Sequence, residues 1–196
     1  NKYYERYSLI QKGIDTDWLS LPLRNAFNHK HSVYIEGGTP NLRYGVDASY
    51  NGTEGVMKGS GRDRYSIGFS LDYRVKKLQV KNTVTFGHTK SKESPYGSFS
   101  DYTTLMPYDT PYLNGDLVKR LPYSSMVSTV NNPLYEATLN NYEWSAYDEV
   151  VDNLSANWYL NDYLTLKGQF SITRQYTSSE RFYDPLSSKV SVLGTK

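Results

Sequence analysis

The sequence predicts an all-β chain of antiparallel, up-and-down strands, and three observations predict it. Several stretches of ordinary strand length place an apolar residue at every second position, which gives a strand one apolar and one polar face. Between them stand Gly-, Pro-, Asn- and Asp-rich turns. The 196 residues include no cysteine but 20 Tyr beside 6 Phe and 3 Trp. Disulfide and thiolate–metal frameworks are thereby removed, and the aromatic surface is amphipathic rather than dry. A net charge of +2 from 22 basic and 20 acidic residues gives no bulk attraction to nucleic acid.

Residues 1–30 carry helical spacing around Tyr3, Tyr7 and Ile10 and a turn at 15–18, so a loop segment with one short helix is expected. The alternation begins at His31, where Val33 and Ile35 oppose Tyr34 and Glu36. GGTPN (37–41) turns the chain. Leu42, Tyr44, Val46, Ala48 and Tyr50 then share a face against Arg43, Gly45, Asp47 and Ser49. After GSGRD (59–63), Tyr65, Ile67, Phe69, Leu71, Tyr73 and Val75 alternate with Ser66, Gly68, Ser70, Asp72 and Arg74. Beyond Lys76-Lys77 the rhythm resumes through Leu78, Val80, Val84 and Phe86. Residues 31–90 thus hold four strands. Residues 91–152 lose every period and are rich in Tyr, Pro, Ser and Asn; a connection of that length is usually functional. Two further strands occupy 153–174. Leu154, Ala156, Trp158 and Leu160 lead to an NDY turn, and Leu164, Leu166, Phe170 and Ile172 follow, opposing Thr165, Lys167, Gln169, Ser171 and Thr173. Residues 175–196 read as a polar tail.

No window approaches the length of a membrane-spanning helix, which leaves a membrane β-barrel open, because its strands hide their lipid face from any averaging window. Up-and-down connection puts the GGTPN, VKKL and NDY turns at one end. The long loop and residues 1–30 then lie at the other. Outer-membrane barrels have this two-ended build. The polar faces are small and neutral with a few charges of both signs, as in a wet lumen. Aromatics (Tyr50, Tyr65, Tyr73, Trp158, Tyr163, Tyr176) gather near strand ends, as in an interfacial girdle. The expectation is a transmembrane β-barrel segment of about six strands, part of a larger barrel, since closure takes at least about eight. Ile67, Phe69, Leu71, Val84, Phe86, Leu166, Phe170 and Ile172 would face lipid. Arg43, Asp47, Asp72, Arg74, Lys81 and Lys167 would face the lumen. The alternative is a soluble or surface-anchored β-sandwich that binds glycans; there the same apolar residues would converge on a second sheet. The start at Asn1, with no leader-like stretch, is read as a mature or excised segment.

Specific wording adds to the pattern. Thr16-Asp17-Trp18, Gly37-Gly38 before a turn, Arg43-Tyr44, Glu54-Gly55 and Arg64-Tyr65-Ser66 occur in the order and spacing of the early barrel region of the SusC/RagA family of TonB-dependent outer-membrane transporters. The chain resembles that region most densely over 15–90, and again over 153–174. The resemblance implies a plugged barrel of about 22 strands, of which this chain would be roughly a quarter. It further implies a bacterial outer-membrane location, with residues 1–30 and the long loop outside the cell. A SusD-like surface lipoprotein and the TonB complex would be partners, engaged through parts of the parent chain not visible in this segment. The implied cargo is usually an oligosaccharide, and in some members a peptide. Neither a plug domain nor a TonB box is visible.

The long loop carries Tyr96, Phe99, Tyr102, Tyr108, Tyr112, Tyr123, Tyr135, Tyr142, Trp144 and Tyr147. Flat rings with polar tips suit sugar faces and edges; Tyr102, Tyr108, Tyr112, Tyr142 and Trp144 are the candidate ligand contacts. The competing reading has the rings packing on one another, or on the lid protein. His29 and His31 lack a carboxylate or thiolate at ligand spacing and read as polar residues at a strand entry, so no metal and no cofactor is expected. Asp47 and Asp72 resemble a glycosidase pair only superficially, because Arg43, Arg74 and Lys81 stand on the same face to neutralise them. With no nucleophile elbow, phosphate loop or dinucleotide fingerprint, the chain is not read as an enzyme.

Overall fold

A computed structural model describes residues 2–121 and 130–193; Tyr123, among the loop aromatics, lies outside the described residues. Six long strands form one antiparallel sheet: β1 (Asn28–Thr39), β2 (Leu42–Glu54), β3 (Gly61–Val75), β4 (Leu78–Lys92), β9 (Tyr142–Tyr159) and β10 (Thr165–Phe182). Their spatial order is their chain order. Between β4 and β9 lie α2 (Phe99–Thr103), the short strands β5 (Tyr112–Leu113), β6 (Asp116–Leu117), β7 (Arg120–Leu121) and β8 (Val130–Asn131), and α3 (Pro133–Thr138). Helix α1 (Lys2–Gln11) precedes the sheet and α4 (Ser188–Leu193) follows it.

The turns at one end are tight. Gly38 has φ 145°, and a Cβ there would sit 2.0 Å from the Leu42 carbonyl oxygen, so that turn demands glycine. Lys76 bears the left-handed conformation of the β3–β4 turn, φ 48°. At the β9–β10 turn, Leu160 N–H donates to the Leu164 carbonyl, and Tyr159 N–H donates to the Lys77 carbonyl, which levels this turn with its neighbour.

The pairing register sorts side chains into two faces. Leu71 opposes Tyr44 and Asn82; Phe69 opposes Val46 and Val84; Ile67 opposes Ala48 and Phe86. Through β9 the same face continues to Phe170 and Ile172, and at the turn end to Leu166. Among the described residues no second sheet covers this apolar face, and Ile67, Phe69 and Phe170 are 48%, 48% and 61% exposed. A sandwich would bury them, so the β-sandwich alternative does not describe this chain.

Strand β9 begins at Tyr142 and β10 runs to Phe182, well past the stretches at 153–160 and 164–174 where alternation is visible in the sequence. The extension is held by backbone pairing, β4 with β9 up to Lys92–Trp144 and β9 with β10 up to Tyr142–Phe182. Both of its faces carry polar and amphipathic groups, so hydropathy shows no period there. At 18 residues each, β9 and β10 span roughly 59 Å, far beyond the apolar band of about 25 Å that a barrel wall needs.

Candidate functional site

Two surfaces carry the chemistry: the polar face of the sheet, and a cap of loops standing at the end away from the tight turns. On the polar face the register places Arg43 opposite Asp72, Asp72 opposite Lys81, Asp47 opposite Gly68, and Lys167 opposite Asn157. Asp72 accepts from Gln79 Nε2 at 2.8 and 3.0 Å and pairs with Lys81 Nζ at 3.4 Å. Arg74 Nη2 and the Tyr159 hydroxyl both donate to Gln79 Oε1, at 3.1 and 3.4 Å. All six charged candidates therefore share one face, and all eight apolar candidates share the other. Asp47 and Asp72 belong to different charge neighbourhoods, with Tyr34 and Gly68 around the first and a cation–amide network around the second.

Near the loop end, the apolar face carries a line of rings. His29 stands 5.4 Å from Tyr50, Tyr50 4.8 Å from Tyr65, and Tyr65 6.3 Å from His88. His31 lies 5.5 Å from His29. Tyr50 donates to Asp63 at 2.8 Å, and His88 Nδ1 meets Asp148 Oδ1 at 2.6 Å. No group of three metal-ligating side chains occurs among the described residues. One polar pair interrupts the apolar band below this line: Asn82 Nδ2 donates to Asp152 Oδ1 at 2.6 Å.

The cap is a small core built from segments far apart in sequence. Trp18, Tyr102, Leu105 and Leu121 form its centre, with Leu21, Met57, Tyr96, Val118, Val130 and Leu134 packed around them. The Trp18 indole N–H donates to the Asp109 and Met106 carbonyls at 3.0 and 3.2 Å. Lys58 ties the β2–β3 loop to Leu21 (2.8 Å), and Ser94 donates to the Lys58 carbonyl (2.6 Å). Arg24 donates to Gly55 and Ser60 carbonyls. Asn132, wholly buried, caps α3 by accepting from Leu134 N–H at 3.1 Å, while its amide donates to Pro111 and Val118 carbonyls. Glu136 on α3 accepts from Ser187 Oγ (2.7 Å), Ser188 N–H (2.8 Å) and Asn141, anchoring the segment after β10. Burial alone would raise the Glu136 carboxyl pKa, but these donors outweigh it and hold it below the usual range. Burial raises the Tyr102 hydroxyl and the Asp109 carboxyl.

The structure does not bring the five candidate ligand contacts together. Tyr102 has no exposed surface; its ring packs 6.4 Å from Trp18 and its hydroxyl donates to the Tyr96 carbonyl. It is a core residue, packed with Trp18, Leu105 and Leu121, so it leaves the set of possible contacts. Tyr108 lies under the Arg6 guanidinium at 5.9 Å, and Tyr112 is 52% exposed. Tyr142 and Trp144 stand at the top of the apolar face, where both donate to Glu180, at 2.7 and 3.2 Å. Tyr142 stacks on Phe182, and Lys90 lies over Trp144 at 5.5 Å. Residues that sequence reasoning missed are Asn132, Glu136 and Asp109. Only Asn132-Pro133 left a signal, as a helix-start pair.

No family model matches the chain. It is similar to the TonB-dependent receptor P26 of Formosa agariphila, 25% identical over 172 residues, covering 85% of this chain and 17% of that protein. Among solved structures, the RagAB peptide transporter superposes with a TM-score of 0.67 at 24% identity, covering 90% of this chain and 21% of that one. The RagAB peptide importer in its closed-closed state gives a TM-score of 0.65 over 89% of this chain. The chain thus spans about a fifth of the length of the proteins it matches. Its fold is that of a stretch of barrel wall in such transporters, a six-stranded antiparallel sheet.

Proposed function

We propose that this chain is a barrel-wall and surface-loop segment of a SusC/RagA-type, TonB-dependent importer of the bacterial outer membrane. The observation that carries the reading is the two-faced single sheet: an uncovered apolar band beneath a line of rings, backed by a face of charges and amides. The apolar residues Ile67, Phe69, Leu71, Val84, Phe86, Leu166, Phe170 and Ile172 face lipid tails. Arg43, Asp47, Asp72, Arg74, Lys81 and Lys167 line the lumen. The wall carries no chemistry; it encloses a path gated and energised elsewhere in the parent chain through the TonB complex. The cap faces the outside, where a SusD-like lipoprotein closes over cargo.

Peptide is the cargo class we favour, because the similar solved structures are described as a peptide transporter or importer; the oligosaccharide expected from the sequence is the competing outcome. Detecting residues 64–75 by antibody in outer-membrane fractions, with and without boiling, tests the barrel. A species several times heavier than this segment that shifts on heating is expected; a soluble species with no shift overturns the reading. Uptake of labelled oligopeptides against labelled oligosaccharides, in cells with and without the gene, then decides cargo.

A further inference from the structure

Where the cap meets the sheet, the polar face opens into a cleft of about 340 Å³. Asn51, Thr53, Ser60, Arg62, Arg64 and Ser91 line it. The register explains the grouping: Arg62 on β3 is flanked by Thr53 on β2 and Ser91 on β4, and Arg64 by Asn51 and Thr89. Two residues apart on one strand, the arginines share a face with their Cα atoms roughly 7 Å apart. They stand beside and above Tyr65, level with the line of rings and away from the tight turns. The outer wall is fixed. Gly55 N–H donates to the Ser60 carbonyl, and Arg24 donates to the Gly55 and Ser60 carbonyls at 3.1 and 2.9 Å. Ser91 Oγ accepts from Arg62 Nε at 3.1 Å, which holds the guanidinium by its inner edge and leaves its two terminal nitrogens unpartnered among the described residues. Arg64 has no hydrogen-bond or ion-pair partner among them. The one acid of the lining, Glu93, forms no ion pair with either arginine.

Lower and farther along the same face, Lys81 pairs with Asp72, Arg74 donates to Gln79 and Arg181 pairs with Glu143. At the cleft, two neighbouring guanidiniums have no acid to pair them. We propose that this cleft binds a carboxylate of the cargo at the outer mouth of the lumen, either an acidic side chain or the free C-terminus of a peptide. Arg62 takes both oxygens with its terminal nitrogens, and Arg64 adds a second charge. A guanidinium presents a planar fork that fits the two oxygens of a carboxylate, and such charge-assisted pairs are stronger than neutral ones. A neutral amide or a sugar hydroxyl makes only single, uncharged hydrogen bonds there. The proposal rests on the importer reading, which brings cargo to this face, and adds to it the charge of that cargo.

The test uses the complete outer-membrane protein, purified in detergent, in about 0.15 M salt so that distant charges are screened. Three peptides are titrated calorimetrically: alanyl-glutaminyl-alanine amide, which has no carboxylate; alanyl-glutamyl-alanine amide, with one on the side chain; and alanyl-glutaminyl-alanine, with one at the C-terminus. At least one carboxylate peptide is expected to bind about tenfold more tightly than the neutral one, and the tighter of the two names the source of the group. Arg62→Gln and Arg64→Gln are each expected to erase that preference; both side chains are exposed, so neither change disturbs a core. Arg181→Gln removes the same charge from the same face outside the cleft and is expected to leave the preference intact. Equal binding of all three peptides, a preference that survives either cleft variant, or one that falls as far in Arg181→Gln each overturns the site. The heat shift is read on the same preparation. A heat-shifting barrel indifferent to the carboxylate sinks the cleft alone, whereas absence of the shift sinks the importer reading whatever the protein binds.

Discussion

The wall and the cap follow opposite rules. Wall strands make regular backbone ladders, leave large apolar side chains uncovered on one face and bury few side chains by themselves; among the described residues the buried hydrophobic ones cluster in the cap, with Ala146 the exception. The cap has little regular structure but satisfies its backbone through side chains such as Asn132, Glu136 and Arg24. A protein that borrows lipid as its apolar partner can leave one face of a sheet open, whereas loops that stand in water must build their own interior. Residue-level stability should therefore depend on water burial in the cap and on membrane depth in the wall.

The largest effect that would break this contrast concerns the cap. Trp18→Ala removes the central ring of the cap and two indole hydrogen bonds, and is expected to cost about 3–5 kcal/mol of cap stability. Limited proteolysis should then cut between residues 93 and 141 while the heat shift of the barrel survives. Loss of both together would mean that wall and cap are one cooperative unit. On the wall, Phe69→Arg is expected to cost about 2–4 kcal/mol in vesicles, against a small effect for Ser70→Arg on the other face; denaturant titration of the refolded barrel reads both. Similar costs for the two variants would show that the apolar face is not in lipid.

These two regions were not equally legible. β3 could be read residue by residue because its period and polarity agree from Tyr65 to Val75. The first half of β9 could not, since Trp144, Ala146 and Asp148 share a face that has left the apolar band, and only pairing with β4 and β10 makes it a strand. The cap left almost no trace. Trp18 and Tyr102 meet through contacts that no local pattern encodes, and the loop rings selected as surface contacts included one that the core needed. Charged candidates on the polar face were placed by simple parity, but Gln79, the residue that joins Asp72, Arg74 and Tyr159, carries no signal of its own.

Smaller effects sharpen the comparison. Glu136→Gln should weaken the anchoring of the segment after β10 by about 1.5–3 kcal/mol at neutral pH, as expected for hydrogen bonds to a charged group. Because the folded carboxyl titrates below its ordinary value, its contribution is present above the unfolded-state pKa and is lost as pH falls through the lower folded value. Acid release of residues 183–190, followed by hydrogen exchange, should therefore occur in the wild type and be flattened in the variant. Smallest is the Asn82–Asp152 pair. Replacing both residues by Leu removes two polar groups from the apolar band and, if lipid covers that band as proposed, should stabilise the barrel by about 1 kcal/mol. Loss of stability in the double variant would show that something other than lipid covers that spot.

The scattered ancestry of the cap core sets an order of events. Trp18 lies before the first wall strand, Met57 in the middle of the wall sequence and Leu121 beyond four of its strands, so their meeting point exists only after β1 to β4 have found register. A half-assembled wall would display the long loop as open polypeptide, and a protease added during refolding should cut it until the sheet is complete. The closed cap is in that sense a timestamp: protection of residues 93–121 and 130–141 dates the moment at which the strands beneath them were correctly joined.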